Sequence, residues 1–207
     1  MTRTLSIIAA LVLAAVLAGA WLLMMRSGPG DNAQCREGTI AGGGDQIGGP
    51  FTLVDETGAT VTDAEVIDRP ALVYFGYAFC PDVCPMDLAR NAEAVDLLAA
   101  RGHEVKPVFI SVDPDRDTPE YLGEYTENLH ERMIGLTGTP EQVKAAAQAY
   151  RVYYKKQDSE ENDEYYIVDH TTFSYLVTPE DGFLEFIRRD ETPEQVADKV
   201  SCYLNAR

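Results

Sequence analysis

Two cysteines, Cys80 and Cys84, are the residues of this chain best suited to chemistry, because three residues separate them and a proline follows each. An apolar, aromatic-rich run at residues 71–77 precedes them, and apolar residues at helical spacing follow them. The pair is therefore expected between a buried strand and the start of a helix. A helix N-terminus favours thiolate, the reactive and metal-binding form of cysteine. The sequence predicts a reactive, unburied thiol pair, with a structural disulfide or two buried apolar cysteines as the alternative.

The elements that must position this pair alternate between strands and helices. Strands or extended segments are predicted at residues 51–54, 59–61, 71–77, 105–113, 133–136, 152–156, 173–177 and 183–187. Helices are predicted to begin at Pro85, near Thr118, at 140–150 after the cap Thr139, and at 193–204 after the cap Thr192. This order predicts an α/β fold with a central mixed sheet flanked by helices. A thiol loop between a sheet strand and a helix indicates the thioredoxin-like architecture.

The start of the first long helix follows from two residues. Pro85 suits the first helical position, where its missing N–H costs nothing. Asp87 adds a negative charge to the first turn, where the helix dipole favours it.

The composition bounds the domain content and the partners. The chain has 207 residues, 45% of them hydrophobic, and a formal net charge of −17 from 34 acidic and 17 basic residues. This length and hydrophobic content are sufficient to form the hydrophobic core of one domain of ordinary size. No nucleic-acid partner is expected, because phosphate contacts need clustered Lys and Arg. The acidic excess suits solubility, or attraction to a basic partner or a cation.

The N-terminal region is predicted to be a membrane anchor over residues 1–26. Residues 5–25 carry no charge and are long enough to cross a bilayer core as a transmembrane helix. Small residues at 18–20 resemble a cleavage site, so a removed signal segment is the alternative, although the apolar run continues past them. The short positive leader favours an N-terminus inside and an exported domain. A Gly-rich linker at 27–49 then precedes the exported domain at 50–207.

Three sequence blocks resemble the SCO/SenC family in the same order. They are FCPDVCP at 79–85, ISVDPDRDTP at 110–119 and YIVDHTTFSYL at 166–176. That family consists of membrane-anchored copper-handling proteins with a thioredoxin-like fold, required for maturing the binuclear copper centre of cytochrome c oxidase. The resemblance covers residues 47–204. It implies a bacterial inner-membrane protein whose domain faces the periplasm. The mitochondrial inner membrane is the weaker alternative, because no transit peptide is recognised in the sequence.

The same resemblance implies a set of site residues. The family's copper ligands fall on Cys80, Cys84 and His170, with one copper ion per domain. Asp82 in the cysteine loop and Asp169 beside the histidine match the pattern as candidates for supporting hydrogen bonds. Residues 113–117 also match the family pattern, but the chemistry of their side chains does not indicate a role.

The residue chemistry is consistent with copper. Cu(I) is soft and prefers thiolate, while imidazole also suits copper. His170 lies 86 residues after Cys84, so only folding can bring them together. The other two histidines, His103 and His130, lie near predicted helix ends and are not expected to bind a metal.

Two function classes use the same thiols. A copper metallochaperone would take copper from a donor chaperone and deliver it to the copper-bearing subunit of cytochrome c oxidase. A thiol–disulfide oxidoreductase would instead keep that subunit's copper-site cysteines reduced. His170 discriminates between them, because thiol exchange does not need an imidazole and a three-coordinate copper site does. A peroxidase on the same fold would need an Arg and a Thr beside its cysteine, an arrangement not evident at Cys80.

The remaining cysteines, Cys35 and Cys202, make the count even. Exported proteins commonly oxidise such cysteines, so a structural disulfide between linker and terminal helix is one hypothesis. The other is that both stay free, since spacing does not decide. On the exported side the Cys80–Cys84 pair also drifts toward a disulfide, so copper loading is expected to require a reductant.

Overall fold

The computed structural model describes residues 17–19, 34–35, 47–157 and 166–206. Within these ranges, no helix combines the length and the apolar character that crossing a bilayer requires. The anchor predicted over residues 1–26 falls outside them, apart from 17–19, and so does most of the predicted linker at 27–49.

Strands and helices alternate through the described domain. The strands are β1 (Thr52–Asp55), β2 (Thr60–Thr62), β3 (Ala71–Gly76), β4 (Lys106–Ser111), β5 (Ile134–Thr137), β6 (Tyr154–Lys156), β7 (Val168–His170), β8 (Ser174–Thr178) and β9 (Gly182–Ile187). The helices are α1 (Asp63–Val66), α2 (Val83–Ala100), α3 (Pro119–Leu129), α4 (Pro140–Ala149) and α5 (Pro193–Asn205).

Seven of these strands form one mixed sheet in the order β2-β1-β5-β4-β3-β8-β9. β3 pairs in parallel with β4, Val73 opposite Val108, and antiparallel with β8, Val73 opposite Tyr175. The β1–β2 hairpin extends the sheet through an antiparallel pairing of β1 with β5. β6 and β7 form a separate two-stranded ribbon in which Tyr154 lies opposite His170. The predicted α/β fold with a central mixed sheet is confirmed.

β3 lies inside the sheet because all six of its residues are apolar or small, and each is buried. Side chains alternate across a strand, so Tyr74 and Phe75 face opposite sides of the sheet. On one side Tyr74 donates a hydrogen bond to Asp87 of α2. On the other side the Phe75 ring packs against Tyr150, just after α4, with centroids 5.3 Å apart. Helical segments therefore cover both faces.

Three helices begin where the sequence reads Thr-Pro-Glu. Thr118, Thr139 and Thr192 are the N-caps of α3, α4 and α5, and each side chain accepts a hydrogen bond from a backbone N–H of the first turn. In each case a proline occupies the first helical position, where no N–H is needed. The predicted caps Thr139 and Thr192 are confirmed, and so is the predicted helix start near Thr118.

α2 begins earlier than the sequence predicts. Its first residue is Val83, after the N-cap Asp82, so the predicted start at Pro85 is wrong by two residues. A proline is tolerated there because the N–H groups of the first turn have no intrahelical acceptor. As a result Cys84 lies inside the first turn of the helix.

Candidate metal centre

Three elements bring Cys80, Cys84 and His170 together. Cys80 lies in the turn after β3, Cys84 in the first turn of α2, and His170 at the end of β7. Their two sulfur atoms and one imidazole nitrogen all lie within 4.8 Å of one another. The three residues that the family resemblance implies as ligands are thus adjacent in space. Such a group could hold one metal ion.

Hydrogen bonds fix the orientation of these ligand atoms. The backbone N–H of Cys84 donates to Cys80 Sγ over 3.4 Å, because the open end of α2 faces that sulfur. His170 Nε2 lies 3.3 Å from Cys84 Sγ. The other ring nitrogen, Nδ1, lies 2.9 Å from the carbonyl oxygen of Thr171, which can only accept. A proton on Nδ1 satisfies this carbonyl, and Nε2 is the ring nitrogen that faces the sulfurs.

The two thiols differ in acidity. A hydrogen bond from the Cys84 thiol holds the pKa of Cys80 far below its ordinary value, and contacts with His170 and with the backbone N–H groups of Asp82 and Cys84 add to this, while burial opposes it. The same hydrogen bond, together with burial, raises the pKa of Cys84. The hydrogen bond between the two sulfurs therefore favours the thiolate form at Cys80 and the thiol form at Cys84.

Both thiols are buried, so the predicted exposure of the pair is wrong. Cys80 is 8% exposed and Cys84 is fully buried. The reason is the early start of α2, which turns Cys84 inward against β3. A Cβ added at Gly76 would lie 2.9 Å from Cys84 Sγ and 2.8 Å from the Tyr74 ring. Gly76 therefore provides the space that this sulfur occupies, a role that no feature of the sequence indicates.

The segment between β4 and α3 supports the centre from behind. Asp117 Oδ2 accepts hydrogen bonds from the backbone N–H of Ala78, in the cysteine loop, and from the Ser111 hydroxyl. Asp113 accepts a hydrogen bond from the Tyr166 hydroxyl over 2.5 Å, just before β7. The two aspartates thus tie the cysteine loop and the histidine strand to one segment. This gives residues 113–117 the structural role that their sequence alone does not supply.

Neither of the two other aspartates singled out from the sequence points its carboxylate at the centre. Asp82 is exposed at the N-cap of α2 and makes no side-chain cap. Asp169 is exposed and accepts a hydrogen bond from Gln157. Successive strand residues face opposite sides, so Asp169 and His170 of β7 diverge.

The remaining cysteines form a disulfide away from the centre. Cys35 and Cys202 are bonded through sulfur, with their Cα atoms 5.7 Å apart. Cys35 is buried among residues of α2, α5 and the sheet. The sequence left open whether these two cysteines are bonded or free, and the structure contains the disulfide.

Comparisons with known proteins match nearly the whole described domain. The family model SCO1/SenC matches residues 41–205. Protein SenC of Rhodobacter capsulatus is 60% identical over 174 residues, which are 84% of this chain and 77% of that protein. Protein SCO1 homolog 1, mitochondrial, of Arabidopsis thaliana is 42% identical over 80% of this chain, and the match spans about half of that relative, 49%.

Solved structures show the same fold. The crystal structure of Arabidopsis thaliana ScoI with copper bound has a TM-score of 0.74 and 41% identity, covering 78% of this chain and 99% of that one. The structure of Bradyrhizobium japonicum ScoI with copper bound has a TM-score of 0.68 and 38% identity, covering 76% and 99%. On the family match and the close identity to SenC, this chain belongs to the SCO1/SenC family.

Proposed function

We propose that this chain is a membrane-anchored copper metallochaperone of the bacterial inner membrane, with its domain in the periplasm. It holds one copper ion through Cys80, Cys84 and His170 and delivers it to the binuclear copper centre of cytochrome c oxidase. The observation that carries the proposal is the group of two sulfurs and one imidazole nitrogen within 4.8 Å. Two relatives with the same fold, the ScoI proteins of Arabidopsis thaliana and Bradyrhizobium japonicum, are described with copper bound.

The donor set fits copper as cargo. Two thiolates and an imidazole suit Cu(I), which is soft and accepts low coordination numbers. Cys84 is fully buried, whereas Cys80 and the half-buried His170 retain contact with solvent. An incoming ligand from a partner can therefore reach the metal from the side of Cys80 and His170. Transfer by ligand exchange would begin at these two residues and end at Cys84.

A second candidate, thiol–disulfide oxidoreductase, is favoured by the unequal acidity of the two cysteines. The Cys80 thiolate could attack one sulfur of a partner's disulfide, forming a mixed disulfide and releasing the other sulfur as thiolate. Cys84 would then attack Cys80 Sγ, transfer its proton to the second departing sulfur, and leave a Cys80–Cys84 disulfide. The partner is reduced by two electrons and this protein is oxidised by two. The imidazole of His170 is not required for either step.

The test is a competitive Cu(I) titration of the full-length reduced protein. We expect one tightly bound ion in wild type and loss of tight binding in Cys80→Ser and Cys84→Ser, because a hydroxyl is a hard, poor ligand for Cu(I). His170→Ala should weaken copper binding and change the Cu(II) spectrum. His130→Ala is the matched control, since His130 contacts Asp96 instead of the centre.

Two outcomes would contradict the chaperone. One is a His170→Ala protein that binds both oxidation states of copper like wild type. The other is stoichiometric, tight Cu(I) binding by protein whose Cys80–Cys84 disulfide has been verified by mass, because that form keeps only the imidazole. Retained disulfide-reducing activity in His170→Ala without copper binding would favour the oxidoreductase.

A further inference from the structure

The large hydrophobic side chains that remain exposed are gathered around the metal centre. In the part of the chain that the structure describes, and apart from Leu17, six such residues are between 36% and 63% exposed. They form the apolar rim of the centre: Phe79, Met86, Tyr121, Tyr153, Ile167 and Phe173. Scattered exposed hydrophobic residues are ordinary, whereas a cluster of them marks an interaction surface. The position of these six is therefore informative.

Three of the rim residues lie on the cysteine side of the centre. Phe79 directly precedes Cys80, and Met86 follows Cys84 by two residues in α2. Tyr121, in α3, stacks on the Phe79 ring with centroids 5.0 Å apart and an interplanar angle of 23°. Exposed apolar side chains therefore lie next to both cysteines.

The other three rim residues lie on the histidine side. Ile167 and Phe173 are each three residues from His170, one before it and one after it. Tyr153 is bound to Thr171, the residue that follows His170. The Thr171 N–H donates to the Tyr153 carbonyl over 2.9 Å, and the Tyr153 N–H donates to the Thr171 hydroxyl over 3.1 Å. The segment that carries the imidazole is thus flanked by exposed apolar side chains as well.

Arg116 joins the two sides of the rim. Its guanidinium carbon lies 5.0 Å from the centroid of the Phe79 ring and 3.6 Å from that of the Tyr166 ring. Tyr166 directly precedes Ile167. Because a guanidinium group is attracted to aromatic faces, these contacts hold the cysteine loop against the segment that leads into β7. The rim is therefore connected from Phe79 to Ile167.

Other parts of the described surface lack such residues. In α1, α4, α5 and the β1–β2 hairpin, no large hydrophobic residue is exposed. The exposed apolar side chains of the described domain are thus concentrated at the end that holds the three ligands.

The burial of the ligands decides what must cover this rim during copper transfer. Cys84 is fully buried and Cys80 is 8% exposed. Metal–ligand bonds are only about 2.0–2.3 Å long, so the donor atoms of an acceptor have to enter beside Cys80 and His170. When these atoms belong to a folded protein, the surface around them must lie on the rim. Five of the six rim side chains are Tyr, Phe or Met, types that protein interfaces favour.

We propose that the apolar rim is the docking surface for the copper acceptor, a folded domain whose own copper ligands lie within an apolar surface. This inference rests on the proposed function, because it requires that the ion leaves Cys80, Cys84 and His170 for the ligands of another protein. It adds that apolar contact around the centre, besides the ligands themselves, sets the rate at which the acceptor receives copper. A small copper chelator reaches the ion without covering the rim.

The experiment compares Cu(I) transfer from the full-length protein to two acceptors. One is the soluble copper-bearing domain of the oxidase subunit, metal-free and with its cysteines reduced, and the other is the small chelator bicinchoninate. At sub-saturating acceptor, we expect the Met86→Gln, Ile167→Gln double variant to transfer copper to the domain roughly tenfold more slowly than wild type, because interface contacts are lost. Its transfer to the chelator and its Cu(I) affinity should equal those of wild type. Ala145→Gln is the matched control, an exposed apolar residue of α4, which packs on the other face of the sheet.

Met86→Leu separates the apolar surface of this side chain from its sulfur. It keeps the surface and removes the thioether, so it should transfer copper to the domain like wild type. Equal transfer to the domain by wild type and the double variant would overturn the proposal. So would a double variant slowed equally toward the chelator, or a slow Met86→Leu, because copper release or sulfur ligation would then explain the rate. A wild type that passes copper to the chelator but not to the domain would refute the proposed delivery, and the docking surface with it.

Discussion

At the scale of single residues, Asp117 shows how a buried charge is placed beside the centre without being a ligand. One carboxylate oxygen, Oδ2, accepts both hydrogen bonds, from Ala78 and Ser111, while the buried Oδ1 has no hydrogen-bond partner. Burial, as the largest cause, raises the pKa of Asp117 from 3.8 to about 6, although these hydrogen bonds oppose it. The carboxylate is therefore costly to ionise where it lies.

This predicts a pH-dependent difference between wild type and Asp117→Asn. A pKa raised in the folded state means that Asp117 favours folding below about pH 4 and that this contribution is lost as the pH rises through about 6. Asn can keep an acceptor at the Oδ2 position and never ionises. We expect the free energy of unfolding of Asp117→Asn to increase relative to that of wild type between pH 4 and pH 7, by about 3 kcal/mol at most. Urea unfolding at four pH values measures this.

The control for that series is Asp115→Asn, a neighbouring aspartate that is exposed. Only the differences in unfolding free energy between the three proteins are compared. If the difference in unfolding free energy between Asp117→Asn and wild type stayed constant from pH 4 to pH 7, the raised pKa assigned to Asp117 would be wrong.

At the scale of elements, the centre depends on how closely β3 approaches the first turn of α2. Gly76 ends β3, and a Cβ at this position would lie 2.9 Å from Cys84 Sγ and 3.2 Å from the Phe109 ring. These neighbours are themselves fully buried, so they have little room to move. The contact between strand and helix thus fixes the position of one ligand sulfur.

We therefore expect Gly76→Ala to be destabilising and to weaken copper binding. Overpacking a buried site typically costs about 1–3 kcal/mol, and here the displaced atom is Cys84 Sγ. Gly123→Ala in α3 is the control, and we expect it to raise the unfolding free energy. The added Cβ would lie at an ordinary contact distance of 3.5 Å from its nearest neighbour. Alanine is also more favourable than glycine inside a helix, by ~1 kcal/mol. Urea unfolding and Cu(I) competition on both variants check the expectation. Wild-type stability and copper affinity in Gly76→Ala would show that the helix can move.

The same scale explains what could be predicted from the sequence. The buried strand β3 and the threonine caps carry local signals, apolar runs and Thr-Pro-Glu, and these predictions are confirmed. The start of α2 was missed because Asp82 gives no side-chain cap. β7 was missed because its partner, β6, lies across an acidic stretch, and the pairing of Tyr154 with His170 exists only in the folded chain.

The site was predictable to the same extent. The cysteine pair is a local motif, and His170 was implied by the family resemblance. The supporting contacts were not predictable, because they join distant positions: Asp117 is 39 residues from Ala78, and Tyr166 is 53 residues from Asp113. Adjacency was misleading for Asp169, since strand geometry turns it away from the ring of His170.

At the scale of the whole molecule, the Cys35–Cys202 disulfide and the metal centre lie at opposite ends of α2. Cys84 is in the first turn of this helix, which is about 27 Å long for its 18 residues. Arg101, just after the other end, pairs with Asp198 of α5 at 2.8 Å, one turn before Cys202. The disulfide therefore fastens the N-terminal segment to the end of the domain remote from the centre.

This separation predicts that stability and copper binding can be uncoupled. The disulfide joins residues 167 positions apart, and closing so long a loop contributes up to about 5 kcal/mol in the chain-entropy model. We expect the Cys35→Ala, Cys202→Ala double variant to lose about 2–5 kcal/mol of unfolding free energy while its copper stoichiometry and affinity stay those of wild type. Denaturant unfolding with and without dithiothreitol checks the first expectation, because the reductant should lower wild type to the level of the variant and leave the variant unchanged. Cu(I) competition checks the second. Free Cys35 and Cys202 thiols in non-reducing peptide maps of the wild type would contradict the disulfide, and lost copper affinity in a folded double variant would contradict the separation of the two sites.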